Sequence, residues 1–123
     1  MGERRRNGSE SQPSAFSALA TERDGIVVVS VTGELDMLTV AQAASVFEDA
    51  ATRGLPMVVD LTGLTFFSSA GLTLLVRLGE QDPRLDVRLV ADDRVVLLPL
   101  ELAGLRDLFP VHSSLHDALA ATP

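Results

Sequence analysis

The chain has no cysteine, lysine, tryptophan or tyrosine among its 123 residues, and its only large aromatic side chains are five phenylalanines. Without cysteine there are no disulfides, thiol switches or thiolate metal sites, which suits a reducing cytoplasm, the expected location. Without lysine there is no phosphate-clamping Gly-x-x-x-x-Gly-Lys loop, and an aspartyl-phosphate receiver site is disfavoured. No Gly-x-Gly-x-x-Gly follows a strand, so no nucleotide cofactor is expected. No Gly-x-Ser-x-Gly elbow is present for a serine hydrolase. The two histidines, His112 and His116, read as surface residues rather than metal ligands. No apolar run approaches the roughly 20 residues that a membrane helix needs. These absences leave an expectation of no catalysis, no cofactor, no metal and no membrane.

What is present supports a folded protein. Apolar residues make up 46% of the chain, enough to bury a real core. The formal charge is −7, and because Arg4, Arg5 and Arg6 outweigh Glu3 and Glu10, the chain after Ser14 carries −8. An acidic domain repels nucleic acid and anionic membranes, and suits a protein partner with a basic face or simply good solubility. Residues 1–14 are polar and rich in Gly, Ser and Asn, and are expected to be a disordered tail ahead of a domain over 15–121.

Hydrophobic periodicity gives the order ββαβαβαβα. Phe16 to Thr21 and Ile26 to Val31 read as a hairpin turned at Gly25, and Gly33 to Asp36 reads as the next turn. Thr39 is placed to cap a first helix whose apolar stripe is Val40, Ala43, Ala44, Phe47 and Ala51. Gly54 stops it and Pro56 prevents its restart. Met57 to Leu61 is a short, continuously apolar strand of the kind buried on both faces. A second helix is expected from about Ser69 to Gln81, with Leu72, Leu75, Val76 and Gly79 toward the core and Leu74 and Leu78 on another face. Val87 to Ala91 is the next strand. A third helical segment lies between Asp93 and Ala103, where Pro99 is expected to force a kink or a late start. A short strand ends at Val111. Ser113 or Ser114 then caps a last helix, with Asp117 placed for a capping box with Ser114 and Leu115, Ala118 and Leu119 inward. Alternating strands and helices imply an α/β domain with about four helices and a mixed, mostly parallel sheet.

The segment from Val58 to Leu72 is the most informative. A buried strand ending at Asp60 runs through Phe66 and Phe67 into Ser68-Ser69-Ala70-Gly71-Leu72, the start of a helix with two hydroxyls at its positive end. This segment resembles the signature of the STAS domain of bacterial anti-sigma factor antagonists, an apolar strand with Asp followed by Asp-Ser-Ser-Gly-Leu. Gly33-Glu34-Leu35-Asp36 resembles that family's Gly-Glu-Leu-Asp turn. Ala103-Gly104-Leu105 with Phe109-Pro110-Val111 resembles its Thr-Gly-Leu and Phe-Pro-Val stretch. The chain departs from the signature by Ser68 in place of Asp and Ala70 in place of the second Ser.

The resemblance implies a STAS fold and an antagonist that binds an anti-sigma factor, itself a GHKL-type serine kinase, and so frees a sigma factor. Phosphorylation by that kinase would end the interaction and a serine phosphatase would restore it. Ser69 is then the expected acceptor, with Ser68 second. Asp36, Ser68, Ser69, Ala70, Gly71 and Leu74 are the expected partner-binding residues. Bland readings stand beside these. Either serine could only cap the helix, the small residues could only pack closely, Asp36 could be an ordinary turn aspartate, and Asp60 could organise the strand-to-helix loop. Monomer or weak homodimer is expected. Two other functions remain open. One is a STAS scaffold subunit of a sensory assembly, self-associating through the apolar run Val95 to Leu102. The other is a small-ligand sensor.

Overall fold

The structure, a computed structural model, describes residues 15–81 and 84–123; the tail expected over residues 1–14 lies outside these. A β-branched run at residues 26–29 and a left-handed pair at Asp24 and Gly25 fix the first hairpin. Strand β1, Ser17–Arg23, and strand β2, Ile26–Leu35, pair antiparallel from Arg23 opposite Ile26 to Ser17 opposite Thr32. A positive φ at both turn residues matches the right-handed twist of the strands, which is why Asp-Gly suits this position. Helix α1 is Val40–Ala51 and strand β3 is Met57–Phe67. Helix α2 is Ser69–Gln81, strand β4 is Val87–Val90 and helix α3 is Arg94–Leu102. A 3-10 turn, Leu105–Asp107, leads to strand β5, Val111–His112, and helix α4, Leu115–Ala121. The strands lie in chain order across one sheet, and every pair after the hairpin is parallel.

The sheet separates two cores of unequal size. Val27, Val29, Val31, Met57, Val59, Leu61, Val87 and Leu89 face one side, where Ala43 and Phe47 of α1, Leu75 and Leu78 of α2, and Val96 and Leu100 of α3 meet them. On the other side Ile26, Val28, Val58 and Val90 meet only Ala118 of α4, with Leu115 and Leu119 around it. Central strands buried on both faces read as continuous apolar runs, as residues 26–29 and 57–59 do.

Several expectations are corrected. Strand β2 continues through Gly33 to Leu35, where a turn was expected, and β3 continues past Leu61 to Phe67. The extension passes through an irregularity, because the β2–β3 register shifts between Ser30 and Thr32 and again before Glu34. Asp60 therefore sits inside a strand rather than at its end. Its Oδ1 accepts the Thr62 N–H at 3.0 Å and the Thr62 hydroxyl at 2.7 Å, so it organises this bulge and not the strand-to-helix loop. In α2 the buried stripe is Gly71, Leu75 and Leu78, and Leu72, Val76 and Gly79 flank it half-buried. At Gly71 the missing side chain leaves room for Phe67 and Leu35 against the helix. In α1 the stripe centres on Ala43, Phe47 and Ala50, leaving Val40, Ala44 and Ala51 half-buried. Pro99 lies inside α3, and the helix starts early at Arg94 rather than late.

Side-chain caps hold α3, on the last crossover, and α4, after the final strand. Asp93 Oδ1 accepts the Val95 N–H at 2.9 Å, and Ser114 Oγ accepts the Asp117 N–H at 3.0 Å. Replacing Asp93 with Ala removes a side-chain cap and is expected to cost about 1 kcal/mol, read as a lower urea midpoint with unchanged m-value. The Gly71 position is tighter. A Cβ there would lie 2.8 Å from Phe67 Cε1 and 2.9 Å from Leu35 Cδ2. Overpacking typically costs about 1–3 kcal/mol, and alanine's better helix propensity returns about 1 kcal/mol. Gly71→Ala is therefore expected to lower stability by roughly 1 kcal/mol, and Gly71→Val by more, in the same urea experiment.

Candidate functional site

The ends of β2 and β3 and the first turn of α2 converge. The Ser68 N–H donates to the Leu35 carbonyl at 3.0 Å, and the Ser68 carbonyl accepts the Leu72 N–H at 3.1 Å. Ser68 is thus the residue before the helix, tied to the neighbouring strand. Its hydroxyl does not cap: Oγ is buried and has no hydrogen-bond partner. Ser69, the first helical residue, is exposed, and no hydrogen bond involves its Oγ among the described residues. The backbone N–H groups of Ser69, Ala70 and Gly71 likewise meet no acceptor among the described residues. The positive end of a 13-residue helix is therefore left open beside an accessible hydroxyl.

The loop from β2 into α1 faces this helix start. Asp36 Oδ1 accepts the N–H of Leu38 at 2.9 Å and of Thr39 at 3.2 Å. Thr39 Oγ1 accepts the Asp36 N–H at 3.0 Å and donates to the Glu34 carbonyl at 2.8 Å. Thr39 occupies the N-cap position as expected, but its hydroxyl closes this turn rather than bonding the helix amides. The closed turn leaves no inward direction for the two residues at its tip. Met37 is 79% exposed and Leu38 is 88% exposed, and Phe66 at the end of β3 is 49% exposed.

Asp36, Met37, Phe66, Ser68, Ser69, Ala70 and Thr73 together line an open depression of about 380 Å³. Of the six expected partner-binding residues, the structure brings four into this depression: Asp36, Ser68, Ser69 and Ala70. Gly71 is turned inward against Phe67 and Leu35. Leu74 lies one turn further on, half-buried beside α1. Sequence reasoning missed Met37, Leu38 and Phe66. A methionine and a leucine next to an Asp-x-x-Thr turn were the available signal, since such a turn closes on itself and turns its middle residues outward. Neither His112, whose Nε2 is 3.5 Å from Arg88 Nη1, nor the exposed His116 lines the depression. No group of three or more metal-ligating side chains occurs among the described residues, and no helix among them is long and apolar enough to cross a membrane.

What this arrangement can do is hold a protein surface and sense charge. The apolar rim supplies area for contact, and an accessible hydroxyl stands among the residues that line it. Open amides at a helix N-terminus favour negative charge at this position.

Comparison with known proteins gives the family and the fold. The STAS domain family model matches residues 17–118. The chain is 32% identical over 111 residues to the anti-sigma-F factor antagonist RsfB of Mycobacterium tuberculosis, covering 89% of this chain and 91% of that protein. It is 33% identical over 126 aligned positions to RsfA, an anti-sigma-F factor antagonist of the same organism, covering 94% and 95%. The crystal structure of an anti-sigma factor antagonist from Mycobacterium paratuberculosis superposes with a TM-score of 0.85 at 32% identity, covering 91% of this chain and 97% of that one. The chain belongs to the STAS-domain family of anti-sigma factor antagonists.

Proposed function

We propose that this chain is a cytoplasmic, non-catalytic antagonist that binds an anti-sigma factor through the depression at the start of α2, and that phosphorylation of Ser69 ends the binding. One observation carries the reading: an exposed, unbonded hydroxyl stands at an open helix N-terminus, beside the outward-facing Met37 and Phe66. The relatives RsfB and RsfA are named for antagonism of an anti-sigma-F factor, which supports a partner of that kind. The proposed partner is an anti-sigma factor that is also a GHKL-type serine kinase, with a serine phosphatase resetting the switch. The acidic charge of the domain supports a protein partner over nucleic acid.

The departures at Ser68 and Ala70 bear on which hydroxyl is used. Ala70 offers none, and the Ser68 hydroxyl is buried beneath the helix start. Ser69 is left as the acceptor within reach of a kinase. Phosphate adds about −1.5 to −2 charge. In the free domain that charge meets the amides of residues 69–71. Inside a close interface it would be desolvated and pressed against the partner, so one modification leaves the fold intact and removes the partner.

The test uses the purified anti-sigma-F factor of Mycobacterium tuberculosis as binding partner and kinase. With ATP and Mg²⁺, wild type and Ser68→Ala are expected to gain one phosphate by intact mass, and Ser69→Ala none. The phosphorylated chain is expected to bind roughly a hundredfold more weakly, about 2.7 kcal/mol. Stoichiometric phosphate on Ser69→Ala, or equal affinity before and after phosphorylation, would sink the assignment of Ser69.

The rim gives a second expectation. Because Met37 and Leu38 are exposed, Leu38→Asp is expected to leave the urea midpoint within about 0.5 kcal/mol of wild type. Partner affinity should fall about tenfold or more through loss of apolar contact. Unchanged affinity by calorimetry would exclude this rim from the interface.

A further inference from the structure

Beyond the depression at Ser69, the surface continues along a groove between α1 and α2. Ala70 and Thr73 line both the depression and a second hollow of about 380 Å³ whose other wall is Val40, Ala41 and Ala44. Ala44, Leu74 and Arg77 in turn line a third hollow of about 270 Å³, which reaches Glu48 and Gln81. The three hollows share lining residues and so lie side by side along α2 from Ala70 to Gln81, a length of about 16 Å at the rise of an α-helix. Alanines at 41, 44 and 70 are the reason for the gap: methyl groups cannot fill the space between two helices whose neighbouring positions carry Leu74 and Phe47.

The charges on the two walls are unpaired. Arg77 is exposed, with no ion pair or hydrogen bond among the described residues. The Glu48 carboxylate stands on the opposite wall and likewise has no partner among the described residues, although both side chains line the same hollow. By contrast Arg53, lower on the same helical layer, is engaged by Glu22 at 3.4 Å and Asp49 at 3.7 Å. The groove thus offers an apolar floor of small side chains, a positive charge on α2 and a negative charge on α1.

We propose that this groove seats an amphipathic helix of the anti-sigma factor. Its apolar side chains would enter over Ala41, Ala44 and Leu74, and an acidic side chain would meet Arg77 and a basic one Glu48. The inference rests on the partner reading above and adds where the partner's second segment lies. A helix fits because the groove is walled by two helices and about three turns long. The opposed charges fix which way its polar edges face.

The experiment measures affinity of the full chain for the anti-sigma-F factor of Mycobacterium tuberculosis, comparing wild type with Arg77→Glu, Ala41→Arg and Ser69→Glu. Arg77 and Ala41 are both exposed, so these variants are expected to keep the wild-type urea midpoint. The expected result is a loss of about tenfold for Arg77→Glu and for Ala41→Arg, with slower hydrogen exchange over the α1 and α2 residues of the groove on binding. If Ser69→Glu weakens binding while Arg77→Glu and Ala41→Arg do not, the groove is overturned and the switch stands. If the two groove variants weaken binding and Ser69→Glu does not, the groove stands and the switch at Ser69 falls. If wild type does not bind at all, both fall together.

Discussion

The approach of α2's first turn to the ends of β2 and β3 is the constraint on which the working surface depends. Gly71 supplies it by having no side chain. Phe67 and Leu35 occupy the space that a Cβ would need, and the Ser68 amide is fastened to the Leu35 carbonyl. That contact sets how far the helix start stands above the sheet. It also sets which residues of the first turn look outward, and Ser69 is the one that does. The extended β2 and β3 matter for the same reason. Had they stopped at Val31 and Leu61, the helix start and the Asp36 turn would have had no common support.

The Asp36–Thr39 turn complements this. Its hydrogen bonds are local, so the turn holds its shape without burying Met37 or Leu38. Local polar closure is what allows two large apolar side chains to remain in water at the edge of the depression. A turn held by apolar packing would have drawn them in. Stability and exposed contact area are thus obtained from different atoms of the same four residues.

The fold was largely legible because its signals are periodic. The runs at 26–29 and 57–59, the α1 stripe and the capping residues Asp93 and Ser114 each state a local preference that agrees with the sheet they build. The failures have physical causes. Thr62, Gly63 and Thr65 look like turn residues, yet an Asp60–Thr62 hydrogen bond and a register shift carry them along as a bulged strand. Leu78 was placed on the wrong face because α2 is apolar at 72, 74, 75, 76 and 78, so spacing alone admits more than one stripe, and the one that faces the sheet starts at a glycine. The candidate site was legible at Asp36, Ser68, Ser69 and Ala70 through the family resemblance. Met37, Leu38 and Phe66 were not, since a sequence marks a side chain as apolar without saying that its turn excludes it from the core.

The two cores differ in depth, and that difference orders the molecule in time. Helix α4 is held by one fully buried side chain, Ala118, with Leu115 and Leu119 at its margins over four strand residues. Elements with so little buried apolar surface are the first to open in the native ensemble. The far side of the sheet carries α1, α2 and α3 on a much larger core. The smaller core under α4 is therefore separated by the whole thickness of the sheet from the helix start at Ser69, so opening of the C-terminal segment would leave the depression's supports in place.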